Sequence, residues 1–159
     1  MKIAVISDSH NVNSAIQAVK PYISDVDIVL HLGDGAADIK EITMGFKGEV
    51  YGVKGNCDFC EGYPNERIIK VLDKKILMCH GHIYNVKMEL NTIMCRGKEL
   101  GVDIILFGHS HLCIIEKQDG LLLMNPGSIF RGAGIMRRSL GYLEIEEGKE
   151  VVSYIKEIK

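Results

Sequence analysis

Five largely apolar runs, Ile3 to Ile6, Ile28 to Leu32, Val50 to Val53, Ile76 to Cys79 and Ile104 to Phe107, are each followed closely by a short polar cluster. In order the clusters read Asp8-Ser9-His10, Gly33-Asp34, Gly55-Asn56-Cys57-Asp58, His80-Gly81-His82 and Gly108-His109-Ser110-His111, and together they hold five of the six histidines. Short continuous apolar runs are the pattern of strands buried on both faces, as in parallel sheets. Open α/β sheets place ligand groups just beyond the carboxyl ends of such strands. Five strand ends therefore deliver carboxylate, carboxamide and imidazole to one edge. This constellation is a candidate metal site for two ions.

The 159 residues are expected to form one domain, 1–159, large enough to bury a core without disulfides or structural metal. A net charge of −2, with no run of five like charges, gives no sign of the basic face that sequence-independent nucleic-acid binding requires. Arg131, Arg137 and Arg138 form the one basic cluster. No apolar segment reaches the length of a membrane span, and the start runs into Asp8 without a signal peptide's apolar stretch, so the expected location is cytoplasmic. Five cysteines, at 57, 60, 79, 95 and 113, read as thiols rather than a disulfide framework. Cys57 and Cys60 make a C-x-x-C, but it follows Gly55-Asn56, contains Asp58 and has no second copy to complete a zinc ribbon.

The first half alternates strand and helix. Val12, Ala15, Ile16 and Val19 repeat with helical spacing up to Pro21, and Ala36 to Met44 reads as a second helix between strands 28–32 and 49–53. Such β-α-β-α-β order implies a parallel sheet with right-handed crossovers. Further on, runs 68–72 and 76–79 flank Asp73-Lys74-Lys75 as a hairpin. Val86, Leu90, Ile93, Met94, Gly97 and Leu100 fall on one helical face, with Asn85 the expected N-cap. Strand 104–107, a hairpin of 112–117 and 121–124 turning on Asp119-Gly120, and strands 140–146 and 150–157 complete the order. Two sheets packed face to face, with helices outside, are expected.

The mixed O/N donor set suits Mn²⁺, Fe²⁺, Zn²⁺, Co²⁺ or Ni²⁺ better than Ca²⁺ or a thiolate-loving ion. Asp8 and His10, like His109 and His111, lie two residues apart, so a turning backbone can aim each pair at one ion. Asp34 is the natural bridge between two ions held at the separation used for displacement at phosphorus. His31, inside an apolar run, is expected to make a core hydrogen bond instead.

The ordered series D-x-H, G-D, G-N-x-D, H-G-H and G-H-x-H resembles the calcineurin-like metallophosphoesterase superfamily. The compact length, Gly55-Asn56-Cys57-Asp58 and the closing Asn125-Pro126-Gly127-Ser128 are similar to its small phosphodiesterase branch. The resemblance spans essentially the whole chain and implies an α/β fold, a four-layer αββα sandwich with two mixed β-sheets. It implies a metal-dependent phosphoesterase that hydrolyses small phosphodiesters through a dinuclear centre and a metal-bridging hydroxide. Carried over residue by residue, one ion is held by Asp8, His10, Asp34 and His111, and the other by Asp34, Asn56, His80 and His109. Those seven are the expected catalytic set, with two divalent ions as cofactors: Mn²⁺ first, and Fe²⁺, Zn²⁺, Ni²⁺, Co²⁺ or Mg²⁺ as alternatives. Asn56, His82 and Arg131 are candidate substrate contacts, and Gly127 and Ser128 shape a rim loop. A homodimer or homotetramer is a further implication of the resemblance.

One departure stands out. Many relatives carry histidine after the metal-binding asparagine, where it helps to protonate the leaving group; here Cys57 takes that place, a poorer acid at its ordinary pKa of about 8.5. Diesters with good leaving groups are then favoured over monoesters. Asp58 either orients a ligand or caps the turn after strand 49–53. Two rivals remain. One is a protein-binding scaffold, as in the retromer subunit Vps29 of this superfamily, whose ligand positions are altered whereas these are not. The other is a nuclease, which the absence of Trp and the slight negative charge disfavour.

Overall fold

The computed structural model describes residues 1–59, 61–132 and 137–159. Among them the strands are β1 (Lys2–Ile6), β2 (Ile28–His31), β3 (Glu49–Gly52), β4 (Glu66–Val71), β5 (Lys74–Cys79), β6 (Ile104–Leu106), β7 (Cys113–Gln118), β8 (Leu121–Pro126), β9 (Arg138–Glu144) and β10 (Val152–Ile158). The helices are α1 (Asn13–Val19), α2 (Ile39–Ile42) and α3 (Asn91–Leu100). One sheet has the order β10-β9-β1-β2-β3 and the other β4-β5-β6-β8-β7. In the first, β1, β2 and β3 run parallel and β9 returns antiparallel beside β1. In the second, β5, β6 and β8 run parallel between the antiparallel edges β4 and β7. Both sheets are mixed.

The apolar runs are continuous because each strand is covered on both faces. Ile3 and Val5 of β1 meet Ile76 and Met78 of β5 and Ile104 and Leu106 of β6 in the layer between the sheets. Their alternate neighbours Ala4 and Ile6 face Ala15, Ile16 and Val19 of α1. Leu77, Cys79, Ile105 and Phe107 face Ile93 and Met94 of α3. Three apolar layers between four tiers make the αββα sandwich, and α/β it is.

Local differences from the pattern have local causes. The third helix starts at Asn91, not near Val86: Asn85 sits at φ 54°, a left-handed conformation that closes the preceding 3₁₀ turn, and the Glu89 carboxylate accepts the N–H groups of Asn91 and Thr92. The segment after Gly35 is a 3₁₀ turn, Ala36–Asp38, followed by the four-residue α2, so its helix ends before Met44. Pro21 marks the end of α1, which stops at Val19 with Lys20 as its C-cap. The proline sits in the first turn of a 3₁₀ extension, Lys20–Tyr22, where its missing N–H costs nothing. The β4–β5 hairpin turns on Leu72-Asp73, with Lys74 and Lys75 already in register with Val71 and Lys70. The β7–β8 hairpin turns as expected on Asp119-Gly120, both at positive φ (51° and 80°), as a type I′ turn requires.

Candidate metal centre

The loops after β1, β2, β3, β5 and β6 meet at one edge. Asp8 donates its backbone N–H to Gly33 O (3.0 Å) and His10 to Asp34 O (2.9 Å), which ties the first two loops together. Gly33, at φ 95°, lets the second loop touch the third: a Cβ there would lie 2.5 Å from the Gly55 nitrogen. Gly108 N–H bonds His80 O (3.0 Å), joining the fourth and fifth.

Five of the predicted ligands hold positive φ: Asp8 (59°), His10 (52°), Asp34 (52°), His109 (64°) and His111 (57°). For residues with a Cβ this conformation costs about 1–2 kcal/mol each, so polar partners must hold the loops. Asp58 is the largest such clamp. Its carboxylate accepts N–H groups from Asp34 (2.8 Å), Gly35 (2.9 Å), Ala36 (2.9 Å) and Gly55 (2.8 Å). Asp58 fills both roles left open for it: the bond from Gly55 caps the turn after β3, and those from Asp34, Gly35 and Ala36 orient the ligand loop. Asp38 accepts from Ser9 Oγ (2.6 Å) and Asn11 N (2.9 Å). Ser128 Oγ donates to Asp8 O (3.0 Å), and Asn125 Nδ2 to Gly108 O (2.8 Å). His31 lies wholly inside this scaffold: its Nδ1 accepts Gly33 N–H (3.1 Å), so its Nε2–H faces Ser9 Oγ (3.2 Å). Burial pushes its pKa down to about 4, and it is neutral.

The side chains form two groups whose donor atoms lie within 4.8 Å of one another: Asp8, His10 and His111, and Asp34, His80 and His109. His111 Nε2 is 3.0 Å from Asp8 Oδ1, and His80 Nε2 is 3.3 Å from Asp34 Oδ2 and 3.9 Å from Asp8 Oδ1. A third group joins His10 and Asp34 to the Cys57 thiol at the same spacing. Asn56 is exposed, with Nδ2 3.5 Å from Cys57 Sγ. His82 is half-buried, its ring 5.5 Å from that of His80 and 6.1 Å from that of His109. Arg131 is exposed and lines a cleft of about 200 Å³ with Arg137, Arg138 and Lys159. Cys60, half of the C-x-x-C, lies outside the described residues.

These surroundings fit a cation. Asp8 Oδ2 is buried without a hydrogen-bond partner. His80 Nδ1 bonds Leu32 O (2.8 Å), which fixes the ring and turns Nε2 toward two carboxylates and His109 Nδ1 (3.2 Å). A backbone carbonyl on the far nitrogen is the usual way to orient a metal-binding imidazole. Burial disfavours a charge on His80, yet Asp34 and Asp8 outweigh it and raise its pKa. Asp34 also resists burial: bonds to His80 and to Cys57 N–H (2.8 Å) hold it well below the usual carboxylate range. Burial and the His80 charge push His109 down to about 4, and the same two causes lower His82.

The sequence pointed to the donors, and to Asn125 and Ser128 only as part of a closing motif and rim loop; it did not point to Asp38. Asp38 accepts from Ser9 Oγ and Asn11 N–H, while Asn125 and Ser128 donate to backbone carbonyls of the ligand loops, with partners 17 to 120 residues away.

An αββα sandwich with carboxylates and imidazoles gathered at one edge of both sheets defines the metallophosphoesterase class of enzymes. Residues 1–148 match the calcineurin-like phosphoesterase superfamily domain, and the chain belongs to that family. It is 38% identical over 131 residues to the probable metallophosphoesterase YsnB of Bacillus subtilis, covering 81% of this chain and 75% of that protein. It is 27% identical over 148 residues to phosphodiesterase MJ0936 of Methanocaldococcus jannaschii, covering 80% and 83%. The structure is similar to wild-type Vps29 complexed with Zn²⁺ from Entamoeba histolytica (TM-score 0.79, 23% identity, 99% of each chain).

Proposed function

We propose that this metallophosphoesterase is a phosphodiesterase acting on small diesters through two divalent ions, Mn²⁺ first among them. The observation that carries the reading is the position of Asp34, whose carboxylate lies within 4.8 Å of donors on both sides, His80 and His109 on one and His10 on the other. A bridging carboxylate requires that position. We assign Asp8, His10, Asp34 and His111 to one ion and Asp34, Asn56, His80 and His109 to the other, with Asn56 turning from its contact with Cys57. Two divalent ions held there would supply a hydroxide near neutral pH and neutralise charge on the phosphate.

The chain's own residues supply positioning. Leu32 O aims His80, Asp58 holds the Asp34 loop, and Ser128 holds the Asp8 carbonyl. His82, beside His80 and His109, contacts the ester. Burial and the Asp34 carboxylate raise the Cys57 thiol, so it gives up its proton reluctantly, which favours diesters with good leaving groups. The similarity to MJ0936, named a phosphodiesterase, supports this choice. A net charge of −2 favours a small-molecule diester over nucleic acid. Among the described residues no helix is long and apolar enough to cross a membrane, and Cys57, Cys79, Cys95 and Cys113 are free thiols, which suits the cytoplasm.

A Vps29-like scaffold is the second reading. Phe59 (96% exposed), Ile83 (51%) and Leu112 (65%) stand next to Asp58, His82 and His111 and offer an apolar rim. Hydrolysis of bis(p-nitrophenyl) phosphate and p-nitrophenyl phosphate by stripped protein, with and without Mn²⁺, separates the two. Mn²⁺-dependent turnover of the diester well above the monoester is expected. No turnover of either, with ions bound, supports the scaffold.

A further inference from the structure

We propose that Cys57 gives this centre a sulfur-containing donor set, in which a thiophilic divalent ion such as Cd²⁺ or Zn²⁺ is held by Cys57 Sγ, His10 and Asp34. The three donor atoms lie within 4.8 Å of one another. Bonds of about 2.0–2.3 Å to such donors put any two of them within roughly 4.5 Å, so the set closes on one ion with little adjustment. The sulfur does not depend on a floppy loop. Cys57 N–H is bonded to Asp34 Oδ1 at 2.8 Å, and the next residue, Asp58, ties Gly55 to the Asp34 loop. Asn56 Nδ2 stands 3.5 Å from the sulfur, an N–H donor of the kind a metal-bound thiolate accepts. Cys57 is exposed, so ions reach it from solvent.

Chemistry separates this set from the rest of the centre. Thiolate selects soft ions, whereas carboxylate, carboxamide and imidazole also accept Mn²⁺ and Mg²⁺. On binding, the S–H bond breaks, the proton passes to solvent and the sulfur lone pair goes to the ion, with no change of oxidation state. His10 and Asp34 each belong to a second group, so an ion held by sulfur takes a donor from both. Cd²⁺, which is not among the ions expected to support hydrolysis, therefore excludes those ions when held there and inhibits. Only that last step rests on the proposed phosphodiesterase activity; the binding does not.

The test titrates the metal-stripped full chain with Cd²⁺ and follows the ultraviolet sulfur-to-cadmium charge-transfer band. Wild type is expected to show it at one equivalent, Cys57→Ser and Cys57→Ala to lose it, and Cys60→Ser and Cys95→Ser to keep it. His10→Ala should weaken Cd²⁺ binding roughly tenfold or more, since even outer partners of a metal site carry that much. A band that survives in both Cys57 variants, or that disappears with Cys60, overturns the proposal. So does unchanged affinity in His10→Ala. In parallel, Cd²⁺ should inhibit Mn²⁺-dependent diester hydrolysis by wild type at about tenfold lower concentration than by Cys57→Ser. Absence of diester hydrolysis without Cd²⁺ would sink the phosphodiesterase reading and leave the sulfur site standing.

Discussion

The two ends of the sandwich solve the problem of turning the chain in opposite ways. At the end away from the metal centre the hairpins β4–β5, β7–β8 and β9–β10 turn with local means: paired registers, Gly120 and Gly148 at positive φ, and exposed ion pairs such as Lys74–Asp73 (2.8 Å). At the other end Asp8, His10, Asn11, Asp34, His109 and His111 all hold left-handed conformations, and buried hydrogen bonds from distant segments keep them there. Exposed pairs contribute little to stability, whereas a half-buried acceptor serving four N–H groups, as Asp58 is, cannot be removed cheaply. Strain concentrated where the surrounding structure over-determines it is the pattern of a functional site.

The sharpest way to break this contrast is to remove a donor without disturbing the clamps. Asp34→Asn and His109→Ala should each lower Mn²⁺-dependent diester turnover by roughly a thousandfold, as loss of a centrally placed charge or ligand does, with the circular dichroism spectrum little changed. Turnover within tenfold of wild type in either would remove that residue from the centre. A second test uses the buried imidazole. Burial holds His31 near pKa 4 against an ordinary 6.5, so between those values the unfolded chain binds more protons. Its stabilising contribution is complete above about pH 6.5 and is lost as pH falls toward 4, amounting to about 3 kcal/mol. Urea unfolding of stripped protein should show that slope, and His31→Gln should flatten it by the same amount; identical slopes would place the proton uptake elsewhere.

Smaller effects probe the clamp and its counterpart. Asp58→Ala should weaken metal affinity and turnover by about 10–100-fold, the range for outer partners of metal ligands, read by competition with a metal-sensitive dye. An unchanged affinity would mean that the four N–H groups need no acceptor. At the far end, Leu72 holds φ 53° with no ligand to serve. Leu72→Gly should raise stability by about 0.5–1 kcal/mol, the steric relief less the cost of glycine's freedom. A loss of stability in urea melts would show that this turn is not strained.

Both sheets were legible from residues 3–6, 28–32, 76–79 and 104–107, because burial on two faces leaves His31 as the one polar position among them. The start of α3 was not. Val86 packs against the same layer as Ile93 and Met94 while lying outside the helix, so its periodicity matched without its backbone. In the centre, residue types announced the donors, but a carboxylate that grips backbone N–H groups, as Asp58 does, has the same letter as one that binds an ion. Neither is left-handed geometry visible in a histidine or an aspartate. Glycines set beside the donors, Gly33, Gly55 and Gly108 among them, hinted at how tightly the loops approach.

Strand β1 lies between β2 and β9, pairing Ile3 with Ile28 on one side and with Leu143 on the other. A chain emerging from the ribosome can therefore close one edge of β1 once Ile28 to His31 are made and must leave the other open until Leu143 follows. An unpaired strand apolar from Ile3 to Ile6 is a template for the wrong partner, and pairings this distant in sequence form slowly. The loop between β8 and β9 also completes the wall behind Asp8, through Ser128 and Phe130, whose N–H meets Asp8 O at 3.2 Å. Support for Asp8 thus comes from residues made after all seven expected donors, and a product truncated before Ser128 would carry those donors without the support that makes them a site.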